Sequence, residues 1–323
     1  MIVHTDTCFT LHTAHTSYQM AVGPGGALLH TYYGPRLPDR APDLTDGRRP
    51  HDDPGCWTDL LPKEWSAPGA ADHRTPPCIP AFADGSETAE LTFVQAEAAA
   101  GKPALPGLPA FRDGDGAETL TLTLRDVFGL EVQLRYTVYE AEDLITRTAV
   151  YTNTSSLPLT LHKAASLCLD FAPGPMDLIT LNGTWAAERT PERTPLRWGI
   201  QSIGSTRGIP GHAHNPAAIL CTSDCTETAG SCWGFALVYS GNFLIEAQRA
   251  DAGQRLVMGI HPYHFHWQLE PGASFAAPEA AMVYSDQGLG LWVEPEAVSP
   301  DSDLYRAHPD WAFAVPGRNL SRR

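Results

Sequence analysis

Two carboxylates near the C-terminus, Glu294 and Glu296, have the spacing of a pair that could share one site. Residues two apart on a strand face the same way, and close carboxylates shift each other's pKa as general acid–base pairs do. The alternative is an ordinary pair at a strand end with a structural duty. Their segment, LGLWVEPE at 289–296, is apolar along most of its length, which is typical of a strand buried on both faces.

A second group of residues has the types that bind zinc. Three cysteines cluster around a polar loop and three histidines lie in the segment HPYHFH, and these six residues are Cys221, Cys225, Cys232, His261, His264 and His266. The spacing Cys-x3-Cys-x6-Cys is not typical of a zinc site. On a strand, His264 and His266 would share a face while His261 pointed away. We therefore expect no metal and no cofactor, and packed or hydrogen-bonded histidines instead.

The elements available to position these residues are β-strands. Between Glu118 and Phe171 apolar and polar residues alternate, as in Leu120, Leu122 and Leu124 separated by threonines. Alternate side chains of a strand point to opposite faces, so the pattern predicts strands with one face in a core. The breaks between runs are short, which predicts antiparallel pairing. Because few helical patterns can cover the apolar face, we expect a second sheet and a β-sandwich.

Strand patterns also occur on both sides of the glycine-rich turn within 8–34, and at 87–96, 217–221, 232–239, 242–249, 254–260, 265–269 and 279–284. Two regions lack periodicity, 34–82 and the stretch that follows Leu178. The first contains Trp57, Leu60, Leu61 and Trp65, which favours an ordered loop over a free tail.

Composition limits the classes of function. The formal net charge of −15, from 37 acidic and 22 basic residues, argues against nucleic acid or an anionic membrane as a partner. No apolar run is long enough to span a membrane, and the N-terminus resembles no secretory signal. The seven cysteines are then expected to be reduced thiols, and the protein to be cytoplasmic.

Several sequence blocks resemble the α-galactosidases of glycoside hydrolase family 36. They are LHTYYG at 29–34, GLEVQLRYTVYE at 129–140, ITRTAVYTN at 145–153, LNGTWAAER at 181–189, STRGIPGHAHNPAAIL at 205–220, GFALVYSGNFL at 234–244, MVYSDQGL at 282–289 and GLWVEPEAVSPDSDLYRAHPDWAFAVPGR at 290–318. The resemblance implies an N-terminal β-supersandwich over residues 1–288 and a fragment of a (β/α)8 barrel over 289–323. It also implies retaining hydrolysis of terminal α-linked galactose, and homo-oligomers, often tetramers.

The chain departs from the family pattern at two places. After Gln287 it runs straight into the barrel-like tail, where a barrel of ordinary size predicts roughly a hundred further residues. Retaining hydrolysis needs two carboxyl groups about 5–5.5 Å apart. Neither the family's Lys-Trp-Asp nucleophile segment nor its Arg-Phe-Asp acid/base segment has a counterpart here. We therefore expect no catalytic residue in this chain and no galactoside hydrolysis by this polypeptide alone, and the carboxylates Glu294 and Glu296 do not match the family's catalytic pair.

The resemblance also suggests substrate-binding residues. In tetrameric members the sandwich lends an aromatic and an acidic residue to a neighbour's galactose pocket. Trp185 matches the aromatic position, although it could instead be a core tryptophan between the sheets. Asp43 and Asp46 are both candidates for the acidic one, and loop aspartates often cap turns. Trp292 matches a barrel residue that lines the sugar site, and Arg207, His212 and Asn215 are expected to line the cleft.

Two other functions are compatible with these residues. One is a non-catalytic sandwich that binds carbohydrate weakly or assembles with intact subunits. The other is a supersandwich enzyme resembling galactose mutarotase, with His264 or His266 as the acid and Glu246 as the base.

Overall fold

A computed structural model describes residues 1–38, 61–69, 72–114, 116–251 and 253–290. Within these ranges the chain contains a single 3-10 turn at Pro24–Gly26, no α-helix and twenty strands. The strands are β1 (Ile2–His4), β2 (Cys8–His12), β3 (Thr16–Val22), β4 (Leu28–Pro35), β5 (Cys78–Ala81), β6 (Thr92–Ala100), β7 (Glu118–Arg125), β8 (Leu130–Tyr139), β9 (Leu144–Asn153), β10 (Leu159–Phe171), β11 (Met176–Thr184), β12 (Ala187–Pro195), β13 (Gly199–Ser205), β14 (His214–Thr222), β15 (Cys232–Val238), β16 (Phe243–Ala250), β17 (Gly253–Ile260), β18 (Trp267–Leu269), β19 (Ser274–Ala276) and β20 (Glu279–Ser285). No helix of the described residues is suited to crossing a membrane.

The largest sheet has ten strands. Its order is β12-β11-β14-β15-β20-β9-β8-β7-β6, with β19 paired to β9. The meander β7-β8-β9 occupies one half, with Leu122 opposite Leu134 and Leu134 opposite Ala149. Leu120, Leu122 and Leu124 are completely buried, because this face of β7 lies in the core. The alternation in the sequence therefore predicted this part of the sheet correctly.

A second sheet covers the apolar face of the first. Its order is β13-β16-β17-β10-β18, with β5 also paired to β10. Residues from both sheets, including Leu134, Leu178 and Ile203, belong to one core cluster. The antiparallel sheet β1-β2-β3-β4 contributes Phe9 and Tyr18 to the same core. The predicted fold class, a large antiparallel β-sandwich, is confirmed, while the predicted strand and helix of the barrel remnant lie outside the described residues.

Some predicted elements differ from the structure. The region after Leu178 was expected to be irregular, but it forms β11, β12 and β13. The strand β12 has the sequence AERTPERTP and is largely exposed, so it lacks the apolar alternation by which buried strands are recognised. The run before the glycine-rich turn is two strands, β2 and β3, because residues 13–15 reverse the chain. The short strands β1, β5 and β19 were also missed.

Buried charges hold residues 61–69 and 72–75 between the sheets. Glu64 and Arg147 are both fully buried, and Arg147 donates to Oε1 of Glu64 at 2.6 Å. The hydroxyls of Tyr18 and Tyr136 donate to the same oxygen at 2.6 and 2.5 Å. Burial alone would raise the pKa of Glu64, but Arg147, His30 and Tyr136 together lower it to about 2.

A second buried cluster contains two carboxylates and two guanidinium groups. Arg74 donates to Asp72 at 2.8 Å and to Asp170 at 2.9 Å. Arg255 contacts the same two carboxylates at 2.9 and 2.7 Å. Burial opposes ionisation of Asp72, yet the arginines hold the pKa of this carboxyl below its usual value. Because each charge has two partners of opposite sign, the desolvation of all four is compensated within the cluster.

Candidate functional site

A hairpin at one edge of the large sheet presents an aromatic ring to solvent. Strands β11 and β12 pair from Asp177 opposite Pro195 to Thr184 opposite Ala187, and their two-residue turn is Trp185–Ala186. The Trp185 side chain is 84% exposed. It is therefore not a core tryptophan between the sheets. A free indole face with its own N–H donor suits stacking against the apolar face of a sugar ring.

Close backbone contacts fix the position of this hairpin. The Gly183 N–H donates to the carbonyl oxygen of Ala213 at 3.0 Å. A Cβ atom at Gly183 would lie 2.7 Å from the carbonyl oxygen of Ala187 and 2.9 Å from that of His212. Only glycine allows the β11–β12 turn and the segment before β14 to approach so closely.

Beneath the hairpin a cleft of about 650 Å³ opens between the two sheets. It lies where β11, β12 and β14 at the edge of the large sheet face β13 at the edge of the smaller one. Leu178 and Ile203 line its inner end and also belong to the core. Farther out the lining becomes polar, with Thr180, Asn182, Glu192, Thr194, Gln201 and His214.

A chain of hydrogen bonds organises the polar lining. The Asn182 amide nitrogen donates to the Thr180 hydroxyl at 3.0 Å and to Oε2 of Glu192 at 2.9 Å. The Asn182 amide oxygen lies 3.3 Å from Nδ1 of His214. Three strands thus orient a carboxylate, an amide and an imidazole around one opening. Such groups hydrogen-bond hydroxyl-rich ligands as both donors and acceptors.

Three residues predicted to line the cleft lie on the connection from β13 to β14 and at the start of β14. Arg207 and His212 are exposed, and Asn215 is half-buried in β14. The carbonyl oxygen of His212 lies close to Gly183, so His212 is at the base of the β11–β12 hairpin. Asp43, Asp46, Trp292, Glu294 and Glu296 lie outside the described residues. Their roles stay predictions.

The three clustered cysteines form a buried group of thiols. Cys221 and Cys232 face each other across β14 and β15, and Cys225 packs with them in one apolar cluster. Burial raises the pKa of the Cys221 and Cys232 thiols to about 12, so the protonated form is favoured at neutral pH. No group of three or more potential ligands suited to a metal is present among the described residues.

The expected strand geometry of the histidines is wrong. His264 lies in the loop before β18 with φ of 56°, and its ring contacts Tyr263. His266 lies in the same loop, where its Nδ1 is 2.8 Å from Nδ1 of His162. The segment reverses direction after Pro262, which prevents the regular alternation of a strand.

The acid–base pair considered for a mutarotase does not form as proposed. The Glu246 carboxylate accepts from Lys163 at 2.5 Å and from the Thr75 hydroxyl at 3.2 Å. Burial lowers the pKa of His261, and the nearby Glu246 carboxylate acts in the opposite direction. Glu246 is thus held by a lysine and a hydroxyl, and neither His264 nor His266 is among its hydrogen-bond partners in the described part of the chain.

A second cleft, of about 760 Å³, lies between β4 and the turn from β10 to β11. Its walls include Tyr32, Tyr33 and Trp233, and its acidic residues are Asp170 and Asp224. Both oxygens of Asp170 are engaged by Arg74 and Arg255. The Asp170 carboxylate is therefore already paired within the core, whereas Asp224 is exposed at the surface of the cleft.

The residues of the inter-sheet cleft were missed at the level of sequence. Asn182, Glu192 and His214 come from three strands, two of which lie in the region expected to be irregular. The signal in the local pattern was polar residues two apart, Thr180 with Asn182 and Glu192 with Thr194. That signal has meaning only once β11 and β12 are known to be strands.

Comparison with known proteins identifies the family. A family model described as the glycosyl hydrolase family 36 N-terminal domain matches residues 26–270. The chain belongs to glycosyl hydrolase family 36. A second family model, Melibiase, matches residues 288–323 of this family 36 chain.

Relatives of the family 36 chain are named as α-galactosidases. It is 33% identical over 430 aligned positions to the bifunctional α-galactosidase/sucrose kinase AgaSK of Mediterraneibacter gnavus, covering 97% of this chain and 46% of AgaSK. The solved galactosidase domain of AgaSK is similar with a TM-score of 0.85 at 40% identity, over 90% of this chain and 42% of that one. A variant of the α-galactosidase AgaA of Geobacillus stearothermophilus in complex with raffinose gives a TM-score of 0.84 at 37% identity, over 93% and 43%.

The family 36 chain spans less than half the length of these relatives. Its alignment to AgaSK is longer than its own 323 residues by more than a hundred positions, so the alignment opens gaps of at least that total in this chain. The total agrees with the shortfall of roughly a hundred residues that the barrel geometry predicts.

Proposed function

We propose that this chain is the N-terminal sandwich of an α-galactosidase that hydrolyses terminal non-reducing α-D-galactose with retention of configuration. The observation that carries the proposal is the exposed indole of Trp185, on a hairpin held by Gly183, in a family 36 sandwich. In this role the sandwich supplies Trp185 to the galactose pocket of a neighbouring subunit. The substrates are α-galactoside oligosaccharides, in line with the raffinose complex of AgaA.

The division of the chain is part of the proposal. Residues 1–288 form the sandwich and 289–323 belong to the catalytic barrel, and the boundary is supported by the two matches, which end at 270 and begin at 288. Trp292 then lines the sugar site, and Asp43 or Asp46 supplies the acidic contact. A cytoplasmic location is included, since no disulfide joins the described cysteines.

The catalytic pair of the family has no counterpart in these 323 residues, so this polypeptide alone should not cleave galactosides. The first measurement is incubation of the pure protein with an aryl α-galactoside, where we expect release of aglycone no faster than in buffer. Turnover by the pure chain at a rate typical of enzymes, about 1 per second or more, would contradict this part.

The role of the sandwich is tested in a chimera in which residues 1–288 replace the corresponding domain of AgaA. The chimera should hydrolyse raffinose, and Trp185→Ala should raise KM about two- to tenfold, because aromatic contacts contribute about 0.5–1.5 kcal/mol. Trp185→Phe, which keeps a ring, should retain most of the affinity. An unchanged KM in a folded Trp185→Ala chimera would refute the role of this residue.

A further inference from the structure

The inner faces of the two sheets become polar toward the edges formed by β12 and β13. In a sandwich these faces normally carry apolar side chains that fill the space between the sheets. Leu178 and Ile203 obey this rule, but the next inner-facing positions do not. Opposite pairs such as Leu178 with Thr194 and Thr180 with Glu192 place the polar side chains on the same face as the core. A cleft of about 650 Å³ remains there, within the size range of small-ligand sites.

The cleft is extended. Its lining runs from Leu178 to Asn182 along β11, four residue steps of about 3.3 Å, or roughly 13 Å. This length accommodates more than one sugar ring. At its outer end the same strand leads to Trp185 at the tip of the hairpin.

A second exposed tryptophan, Trp198, lies in the connection between β12 and β13. Trp198 is 67% exposed, and the guanidinium group of Arg249 lies 5.5 Å from the centre of its ring. The turn before Trp198 is held by Gln201, which lines the cleft. The Gln201 side chain accepts from the Arg197 N–H at 2.6 Å and donates to the Pro195 carbonyl at 3.2 Å.

The chemistry of the lining selects a neutral, hydroxyl-rich ligand. Hydroxyls, amides, one carboxylate and one imidazole can each pair with a sugar hydroxyl as donor or acceptor. Among the described residues, those that line the cleft include no lysine or arginine, so a phosphate would lack its usual cationic partner there. The net charge of −15 also disfavours an anionic ligand.

We propose that the inter-sheet cleft below the Trp185 hairpin binds the sugars of an α-galactoside oligosaccharide that lie beyond its terminal galactose. Asn182, Glu192 and His214 bind the hydroxyl groups. The choice of ligand rests on the proposed function, because the terminal galactose of the same oligosaccharide is the part assigned to the Trp185 pocket.

Isothermal titration of the 323-residue protein tests the cleft directly, with raffinose, sucrose and galactose as the probes. Sucrose is the part of raffinose that remains when the galactose is removed. We expect raffinose and sucrose to bind with Kd values at least tenfold lower than that of galactose. Equal affinities for raffinose and galactose, or no saturable heat with raffinose at millimolar concentrations, would overturn the proposal.

Variants locate the binding. Glu192→Gln keeps the shape of the side chain and should raise the Kd for raffinose about threefold or more, and Asn182→Ala should raise it about tenfold. Glu97→Gln is the matched control, because Glu97 is exposed on β6 at the opposite edge of the same sheet. Glu97→Gln should leave the Kd for raffinose unchanged. Urea unfolding of each variant verifies its fold, and unchanged raffinose affinity in folded Glu192→Gln would reject the cleft as the site.

The outcomes separate this inference from the proposed function. If Glu192→Gln weakens raffinose binding to the isolated chain while Trp185→Ala leaves the chimera unaffected, the cleft stands and the role in hydrolysis fails. If Trp185→Ala impairs the chimera while raffinose and galactose bind the chain equally, the cleft fails and the proposed function stands.

Discussion

Replacing Arg147 with methionine should strongly destabilise the sandwich. The guanidinium group of Arg147 lies between Trp65 and Tyr136, with its carbon 5.0 and 4.9 Å from the ring centres. It donates to the Glu64 carboxylate at 2.6 Å and to the Cys168 carbonyl at 2.8 Å. Methionine fills part of the same space and keeps an apolar contact with the rings. The main loss is therefore the charge that compensates Glu64.

The magnitude follows from the burial of that carboxylate. Removing one partner of a fully buried ion pair costs about 3–5 kcal/mol, because the other charge stays desolvated without compensation. The pKa of Glu64 gives a similar scale. A shift from 4.5 to about 2 corresponds to about 3 kcal/mol in favour of the ionised form in the folded protein.

Urea unfolding followed by tryptophan fluorescence measures the effect. With a slope of about 3 kcal/mol per M, Arg147→Met should lower the midpoint by about 1 M or more. Arg125→Met is the matched control, since Arg125 pairs with Glu131 at the half-exposed surface, where such a pair contributes at most about 1 kcal/mol. The double variant Glu64→Gln with Arg147→Met should recover part of the loss, because no charge is then left uncompensated. A loss below about 1 kcal/mol in Arg147→Met, or a double variant weaker than the single one, would refute the reasoning.

Other properties can be measured on the same protein. Because the pKa of Glu64 is lower in the folded state, its ionised form contributes fully to the free energy of unfolding above about pH 4.5. This contribution is lost as the pH falls toward 2, so the urea midpoint should fall over the same interval. A midpoint that stays constant there would contradict the role of Glu64. Iodoacetamide at pH 8 should alkylate Cys221 and Cys232 only after unfolding, because burial raises the pKa of both thiols to about 12. Peptide mass mapping identifies the labelled cysteines, and rapid labelling of either one in the folded chain would contradict the prediction. Gly253→Ala should cost more than about 2 kcal/mol, since φ is 126° and the new Cβ would lie 2.1 Å from the Phe171 carbonyl oxygen. Gly85→Ala, at positive φ in open space, should cost only about 1 kcal/mol, and equal losses at the two glycines would contradict the steric argument.

The sheet interior was predictable from the sequence because burial imposes a pattern. Leu120, Leu122 and Leu124 alternate with threonines, and the structure buries all three in the way that period predicts. The sequence of β12 shows no such alternation of apolar and polar residues. Its residues face solvent or the polar cleft, so apolar alternation is absent and the sequence predicts an irregular segment there.

The candidate site was predicted only in part. An exposed Trp185 on a loop was expected from the resemblance, and the structure places it at a hairpin tip. The cleft below it depends on the pairing of β11 with both β12 and β14, which brings together residues far apart in the sequence, such as Asn182 and His214 at a separation of 32. Such long-range pairing cannot be deduced from local patterns. The same limit applies to Glu64 and Arg147, whose partnership depends on the packing of the two sheets.

The ion pairs within the core also determine where a replacement of residues 37–62 by the corresponding residues of a relative should end. Glu64, Asp72 and Arg74 follow this segment directly, and each forms an ion pair with an arginine or aspartate of the sheets. An insert that ends before Glu64 leaves those ion pairs intact and alters only the connecting segment. An insert that extends beyond Arg74 must bring matching acids and bases, or it leaves Arg147 without a carboxylate partner and leaves Asp170 and Arg255 with only each other. Engineers who recombine such sandwiches should therefore place the junction between Leu61 and Glu64.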